Sequence, residues 1–177
     1  MKMTKARLSA LVVVTTFAGY WLHVRLHDWP EALPWRLVHT IIGTTLTAFG
    51  AAVFNQLMEM DADARMKRTA DRPLPARRLP PAAAFGIGWV LSAFGIIHLG
   101  VKVNVESAAL AGLTLLVYLF VYTPMKRRSP LNTLVGAVSG AIPPVIGWAA
   151  VPGGKELTNF SRDLIRPELL VSTEALF

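Results

Sequence analysis

The chain has 177 residues, of which 53% are hydrophobic and only 16% are charged. This composition makes a water-soluble globular domain an unsuitable interpretation, because such domains carry about 25% charged residues. The absence of cysteine excludes disulfide bonds, thiolate metal sites and a cysteine nucleophile. We therefore predict an integral membrane protein.

Five apolar runs are long enough to cross a bilayer core about 30 Å thick. A basic leader precedes the first run, but that run ends in aromatic and bulky residues without a small-residue cleavage site, so a retained helix is favoured over a signal peptide. The fold class is thus all-α integral membrane, a bundle of about five transmembrane helices. The predicted spans are Leu8–Val24, Val38–Met58, Pro81–Leu99, Ala108–Tyr122 and Leu131–Val151.

The fifth predicted span carries two features that affect packing. Gly136 and Gly140 have GxxxG spacing, and Pro143 and Pro144 follow them, which predicts a closely packed and kinked helix. From residue 152 onward, charges are mixed with apolar residues and no further span occurs. We therefore divide the chain into a membrane domain, 1–151, and a divergent C-terminal tail, 152–177, which forms either a short interfacial helix or a frayed end.

The net charge of +7 follows the topology of a membrane protein. If the N-terminus is cytoplasmic, three cations in the leader, six in the loop before Pro80 and three at 126–128 lie on the same side. This asymmetry is the positive-inside rule. Nucleic-acid binding is therefore unnecessary to explain the charge.

Three polar side chains occur at spacing i, i+4 and i+8 where the second span ends: Asn55, Glu59 and Asp63. On one helix they would share a face over roughly 12 Å. A helix that leaves a membrane commonly ends in solvated charges, which is the simpler interpretation. However, an amide inside an apolar segment requires a partner, and oxygen donors on one face suit Mg²⁺ shared with a diphosphate.

Two basic segments lie on the side where this acidic face is expected. The first follows the acidic face and contains Arg68 and Arg72, and the second contains Lys126 and Arg127 directly after Tyr122. Singly these cations are expected from topology alone, but together they can hold phosphate by direct contacts. The four histidines, in contrast, are interpreted as interfacial residues rather than haem ligands.

The first loop resembles the first aspartate-rich motif of the UbiA superfamily of intramembrane prenyltransferases. Within that superfamily, the stretch YTPMKRRSPLNTLVGAVSGAIPPVIGW is similar to the protoheme IX farnesyltransferase family. The resemblance covers roughly residues 5 to 150. The residues that carry the first motif are Asn55, Glu59, Asp63, Met66, Arg68, Thr69, Arg72, Pro73 and Leu74.

This resemblance implies transfer of a farnesyl group from farnesyl diphosphate to a vinyl group of protohaem IX in a lipid bilayer, with Mg²⁺ as the cofactor. It also implies that Tyr122 faces the reacting prenyl carbon. The implied ligands of metal and diphosphate are Asn55, Glu59 and Asp63, with Arg68, Arg72, Lys126 and Arg127 as diphosphate contacts.

The chain also departs from the family pattern. The family has about nine spans and a second acidic motif, and this sequence ends before the later spans and that motif. We therefore predict a partial enzyme with an uncovered apolar face, and either poor stability or dependence on a membrane-protein partner. Two alternatives stay open: another UbiA-type prenyltransferase with an aromatic acceptor, and an inactive membrane fragment or small membrane subunit. The predicted location is the inner membrane, with the basic loops cytoplasmic.

Overall fold

The computed structural model describes residues 3–26, 34–126 and 129–151. These residues form a bundle of helices, and no strand occurs in the described ranges. The helices are α1 (Met3–Leu26), α2 (Pro34–Met58), α3 (Met60–Ala64), α4 (Pro81–Lys102), α5 (Val105–Leu116), a π-helical segment (Val117–Tyr122), α6 (Thr123–Met125) and α7 (Asn132–Ala149).

Within the described residues, four stretches of helix are long and apolar enough to cross a membrane: Ser9–Leu26, Pro34–Met58, Pro81–Lys102 and Val105–Met125. They match the first four predicted spans, and the membrane-bundle fold class is confirmed. The fifth predicted span is also a helix, α7, but it is not among these four stretches. Its two internal prolines and its polar start reduce its apolar character.

The helices pack mainly as two pairs, α2 with α4 and α1 with α7, and α5 lies against both α4 and α7. The core between them contains Tyr20, Leu99, Ala111, Ile142 and Ile146. Large apolar side chains such as Trp89, Val101 and Phe120 point outward with 62–74% exposure. Such an exterior suits lipid rather than water, because lipid imposes no cost on exposed apolar surface.

Small residues allow the backbones of paired helices to approach closely. A methyl group added at Gly95 of α4 would lie 2.8 Å from the carbonyl oxygen of Gly43 on α2. At the α1–α7 contact, a methyl group added at Gly147 would lie 2.8 Å from the backbone nitrogen of Tyr20. Both pairs therefore use the small-residue packing that is common between membrane helices.

The glycine of α7 that packs closely against another helix is not one of the two that the sequence predicted. Gly136 lies against the ring of Tyr122, but the position of Gly140 is open, with nothing within 4 Å of an added methyl group. The GxxxG pair therefore does not form a helix–helix seam in the described bundle, and the prediction that it packs closely is wrong for Gly140. The close contact occurs seven residues later, beyond Pro143 and Pro144, at Gly147.

Alanine substitution should separate these two glycines of the same helix. Gly147→Ala should destabilise the bundle by about 1–3 kcal/mol, because the added methyl group must push α1 away from α7. Gly140→Ala should be neutral or stabilising by up to about 1 kcal/mol, because alanine is the better helix former and has open space. Unfolding of both variants in detergent by SDS titration tests this, and equal effects would contradict the described α1–α7 contact.

Candidate functional site

The end of α2 carries the polar residues that the sequence singles out. Helix α2 stops at Met58, Glu59 precedes the short helix α3, and Asp63 lies within α3. The spacing predicted that the three residues lie on one uninterrupted helix. The structure instead places a break between α2 and α3 at Glu59. Backbone hydrogen bonds nevertheless continue across the break, from Glu59 N to Asn55 O at 3.1 Å and from Asp63 N to Glu59 O at 2.8 Å, so the helical spacing is kept.

Asn55 and Glu59 are brought together by a direct contact. The Asn55 amide nitrogen donates to Oε2 of Glu59 at 3.0 Å, and Asn55 is buried, with 5% exposure. The partner that an amide in an apolar helix requires is therefore the carboxylate one turn away.

The second basic segment reaches the same place from a distant part of the chain. Lys126 donates from Nζ to Oε1 of Glu59 at 3.1 Å, across 67 positions of sequence. The Glu59 side chain is 14% exposed and that of Lys126 is 45% exposed. Lys126 of the second basic segment thus contacts the acidic face, while Arg127 lies outside the described residues.

Asp63 has a different partner. It forms an ion pair with Arg72, which donates from Nη1, and the two side chains are 8% and 24% exposed. The backbone carbonyl of Asp63 also accepts a hydrogen bond from the Thr69 hydroxyl at 2.8 Å. These contacts fold the loop after α3 back onto α3 itself, and Arg72 is partly buried there while Arg68 stays exposed.

Of the predicted metal ligands, Glu59 is paired with Lys126 and Asp63 with Arg72, whereas Asn55 donates to Glu59. In the described part of the chain, no group of three or more His, Asp or Glu side chains could hold a metal ion as it stands. The donor set is still chemically suitable for Mg²⁺, because an amide oxygen and carboxylates are hard oxygen ligands.

Tyr122 ends the π-helical segment beside this polar cluster. Its ring stacks on that of Tyr118 with the centroids 5.4 Å apart. Because π-helical turns within α-helices are frequently found at functional sites, the aromatic pair is a candidate lining for the apolar side of the site. Tyr118 is a residue that sequence reasoning missed.

Thr123 is a second residue that sequence reasoning missed. Its hydroxyl is buried, lies 2.8 Å from the Tyr118 carbonyl oxygen and 3.4 Å from Oδ1 of Asn55, and so links the π-helical segment to the end of α2. A hydroxyl has one hydrogen to donate, so when it bonds Tyr118 the amide oxygen of Asn55 keeps a free acceptor position. The only sequence signal was a polar residue directly before Pro124.

Two histidines meet at the other end of α2 from the acidic cluster. Nδ1 of His39 and Nε2 of His98 are 3.0 Å apart, which joins α2 to α4. The sequence alone did not predict this contact, and the interpretation that the histidines are not haem ligands stays a prediction.

The chain matches the model of the UbiA prenyltransferase family over residues 12–165. It therefore belongs to this family, and the fold and the acidic first loop agree with that membership. The boundary at residue 151 between a membrane domain and a tail stays a prediction. No solved structure matches the chain.

Several relatives of the chain are named protoheme IX farnesyltransferase. A protoheme IX farnesyltransferase from Solibacter usitatus is 44% identical over 164 residues, which are 87% of this chain and 54% of that protein. The protein of the same name from Anaeromyxobacter dehalogenans is 45% identical over 86% of this chain and 50% of its own length. The mitochondrial enzyme of Arabidopsis thaliana is 43% identical over 86% of this chain and 35% of its own length. The chain spans about half the length of the curated relatives it matches.

The two ion pairs of the first loop should differ in their effect on stability. Asp63→Asn should destabilise the chain by about 1–3 kcal/mol, because it leaves the mostly buried Arg72 without its counter-charge. Asp71→Asn is the matched control, because its pair with Arg78 at 2.9 Å is exposed on both sides and should contribute less than about 1 kcal/mol. Equal unfolding midpoints of the two variants in detergent would show that the Asp63 pair is not buried.

Proposed function

We propose that this chain provides the first acidic motif of a prenyltransferase site that uses farnesyl diphosphate and protohaem IX. The observation that carries the proposal is the convergence of Asn55 and Glu59 with Lys126 at one end of an apolar bundle. The family membership and the name shared by its relatives support the substrate assignment.

The reaction joins the farnesyl carbon to a vinyl carbon of protohaem, adds water and releases diphosphate. Its difficult step is departure of the diphosphate, because a carbocation and a highly charged anion must separate. Mg²⁺, when bound, would supply positive charge to the leaving group. Asn55, Glu59 and Asp63 are the residues that would hold it, because they contribute the hard oxygen donors at the end of α2.

The protein's own cations and aromatic rings supply the rest of the chemistry. Lys126 and Arg72 lie within the acidic cluster and would hold the diphosphate oxygens directly, with Arg68 and Arg127 in support. Tyr122 would face the reacting prenyl carbon, where its ring could stabilise developing positive charge. The surrounding apolar helices would exclude water from that charge.

The site also fits the proposed location in the cell. The two basic segments meet at one end of the bundle, and an excess of Lys and Arg on one side is typical of cytoplasmic loops. We place the chain in the inner membrane with this end facing the cytoplasm, where a membrane-protein partner would cover the remaining apolar surface.

An acceptor assay tests the proposed reaction. The purified chain in lipid vesicles, given Mg²⁺ and farnesyl diphosphate, should convert protohaem IX to a haem that carries one farnesyl group and one added water by mass spectrometry. Glu59→Gln should reduce the rate roughly 100-fold, because it removes charge from the metal and diphosphate site, whereas Asp71→Asn should not.

Other outcomes of the same assay would contradict the proposal. Prenylation of an aromatic acid, with no change in protohaem, would favour a UbiA-type enzyme with an aromatic acceptor. Absence of both products would favour an inactive membrane fragment.

A further inference from the structure

Each oxygen of the Glu59 carboxylate accepts a hydrogen bond from another residue of the chain. One oxygen accepts from Lys126 at 3.1 Å and the other from Asn55 at 3.0 Å. Under the proposed function, the group assigned to the metal is thus bound to a group assigned to the diphosphate. A metal ion at Glu59 would lie beside the Lys126 ammonium, so the two cations compete for the same carboxylate.

Electrostatics makes this competition costly for either ligand alone. A divalent cation that binds Glu59 is repelled by the ammonium of Lys126 at ion-pair distance, and a diphosphate that binds Lys126 is repelled by the Glu59 carboxylate. The shielded position of Glu59, at 14% exposure, strengthens these terms because less water screens them.

The two partners differ in their freedom to move. Lys126 is 45% exposed and follows the last short helix before residues 127–128, whereas Glu59 is held by Asn55 and by backbone hydrogen bonds on both sides. A lysine has a long flexible stem with a compact charge. Lys126 is therefore the group that can leave, and Glu59 is the group that stays.

We infer that Lys126 competes with the metal ion for Glu59, and that its transfer from Glu59 to the diphosphate couples the binding of the two ligands. This inference rests on the proposed function and deepens it. Metal binding frees the ammonium for diphosphate, and diphosphate binding frees the carboxylate for metal. By linkage each ligand raises the affinity of the other by the same factor.

The exchange predicts crossed effects of two single substitutions on the binding of each ligand alone. Lys126→Met should tighten Mg²⁺ binding about two- to fivefold, because the competing cation is gone, and should weaken binding of inorganic diphosphate. Glu59→Gln should do the reverse, weakening Mg²⁺ and tightening diphosphate. Calorimetric titration of the purified chain with Mg²⁺ alone, and with inorganic diphosphate in the presence of a chelator, measures both.

Matched controls come from the exposed pair in the same loop. Arg78→Met and Asp71→Asn break an ion pair of similar length, 2.9 Å, that lies outside the cluster, and they should change neither affinity by more than about 1.5-fold. Lys126→Gln should repeat the effect of Lys126→Met, which separates loss of charge from the shape of one side chain.

The outcomes distinguish the inference from the function on which it rests. Crossed shifts support the exchange. If the unmodified chain binds both ligands but each variant weakens both or changes neither, the ion pair is structural and the exchange is wrong, while the proposed function stands. If the unmodified chain binds neither ligand, the proposed function fails and the exchange fails with it.

Discussion

The close approach of helix backbones at small residues is the constraint on which the rest of the bundle depends. In lipid, apolar side chains gain little by contact with one another, so helices associate through close packing and interhelical hydrogen bonds. Gly43 and Gly95 bring α2 against α4, and Gly147 brings α7 against α1. Helix α5 lies against both α4 and α7 and continues through the π-helical segment to Lys126. This arrangement places the end of α2 beside the end of α6.

Polar chemistry is then concentrated where those two ends meet. Glu59 binds Asn55 from its own chain segment and Lys126 from a distant one, and Asp63 binds Arg72 from the returning loop. Each negative group in this cluster has a positive or amide partner. Under the proposed function, a metal ion and a diphosphate would compete with these contacts.

Much of the fold was predictable because the membrane environment simplifies the pattern. Apolar runs bounded by proline gave the helices close to their observed limits, such as Pro81–Lys102 for the predicted Pro81–Leu99. The break after Met58 was not predictable, because the run of polar residues that follows has the spacing of a continuous helix. The role of Gly147 was missed for a related reason: glycine spacing marks a surface that can pack closely, but the partner helix decides which glycine is used.

The candidate site was predictable in its residues and less so in their contacts. Asn55, Glu59 and the basic segments follow from charge, position and family resemblance. Sequence does not show which charged side chains form ion pairs, because the pairing depends on distances in the folded chain. The two pairs observed are Glu59 with Lys126 and Asp63 with Arg72. Thr123 is the clearest example, because its contact with Asn55 spans 68 positions. The contacts of buried polar residues beside a helix end are therefore the part of the site that sequence predicts least well.

The central claim is that the ends of α2 and α6 form one site, and cross-linking tests it most directly. The chain has no cysteine, so a short thiol-specific cross-linker reacts only with an introduced pair. Asn55→Cys combined with Thr123→Cys should give an intramolecular link that changes gel mobility, while Asn55→Cys combined with His98→Cys should not, because His98 pairs with His39 at the other end of α2. Equal linking of both pairs, or none in the first pair while both thiols react with a maleimide, would contradict the claim.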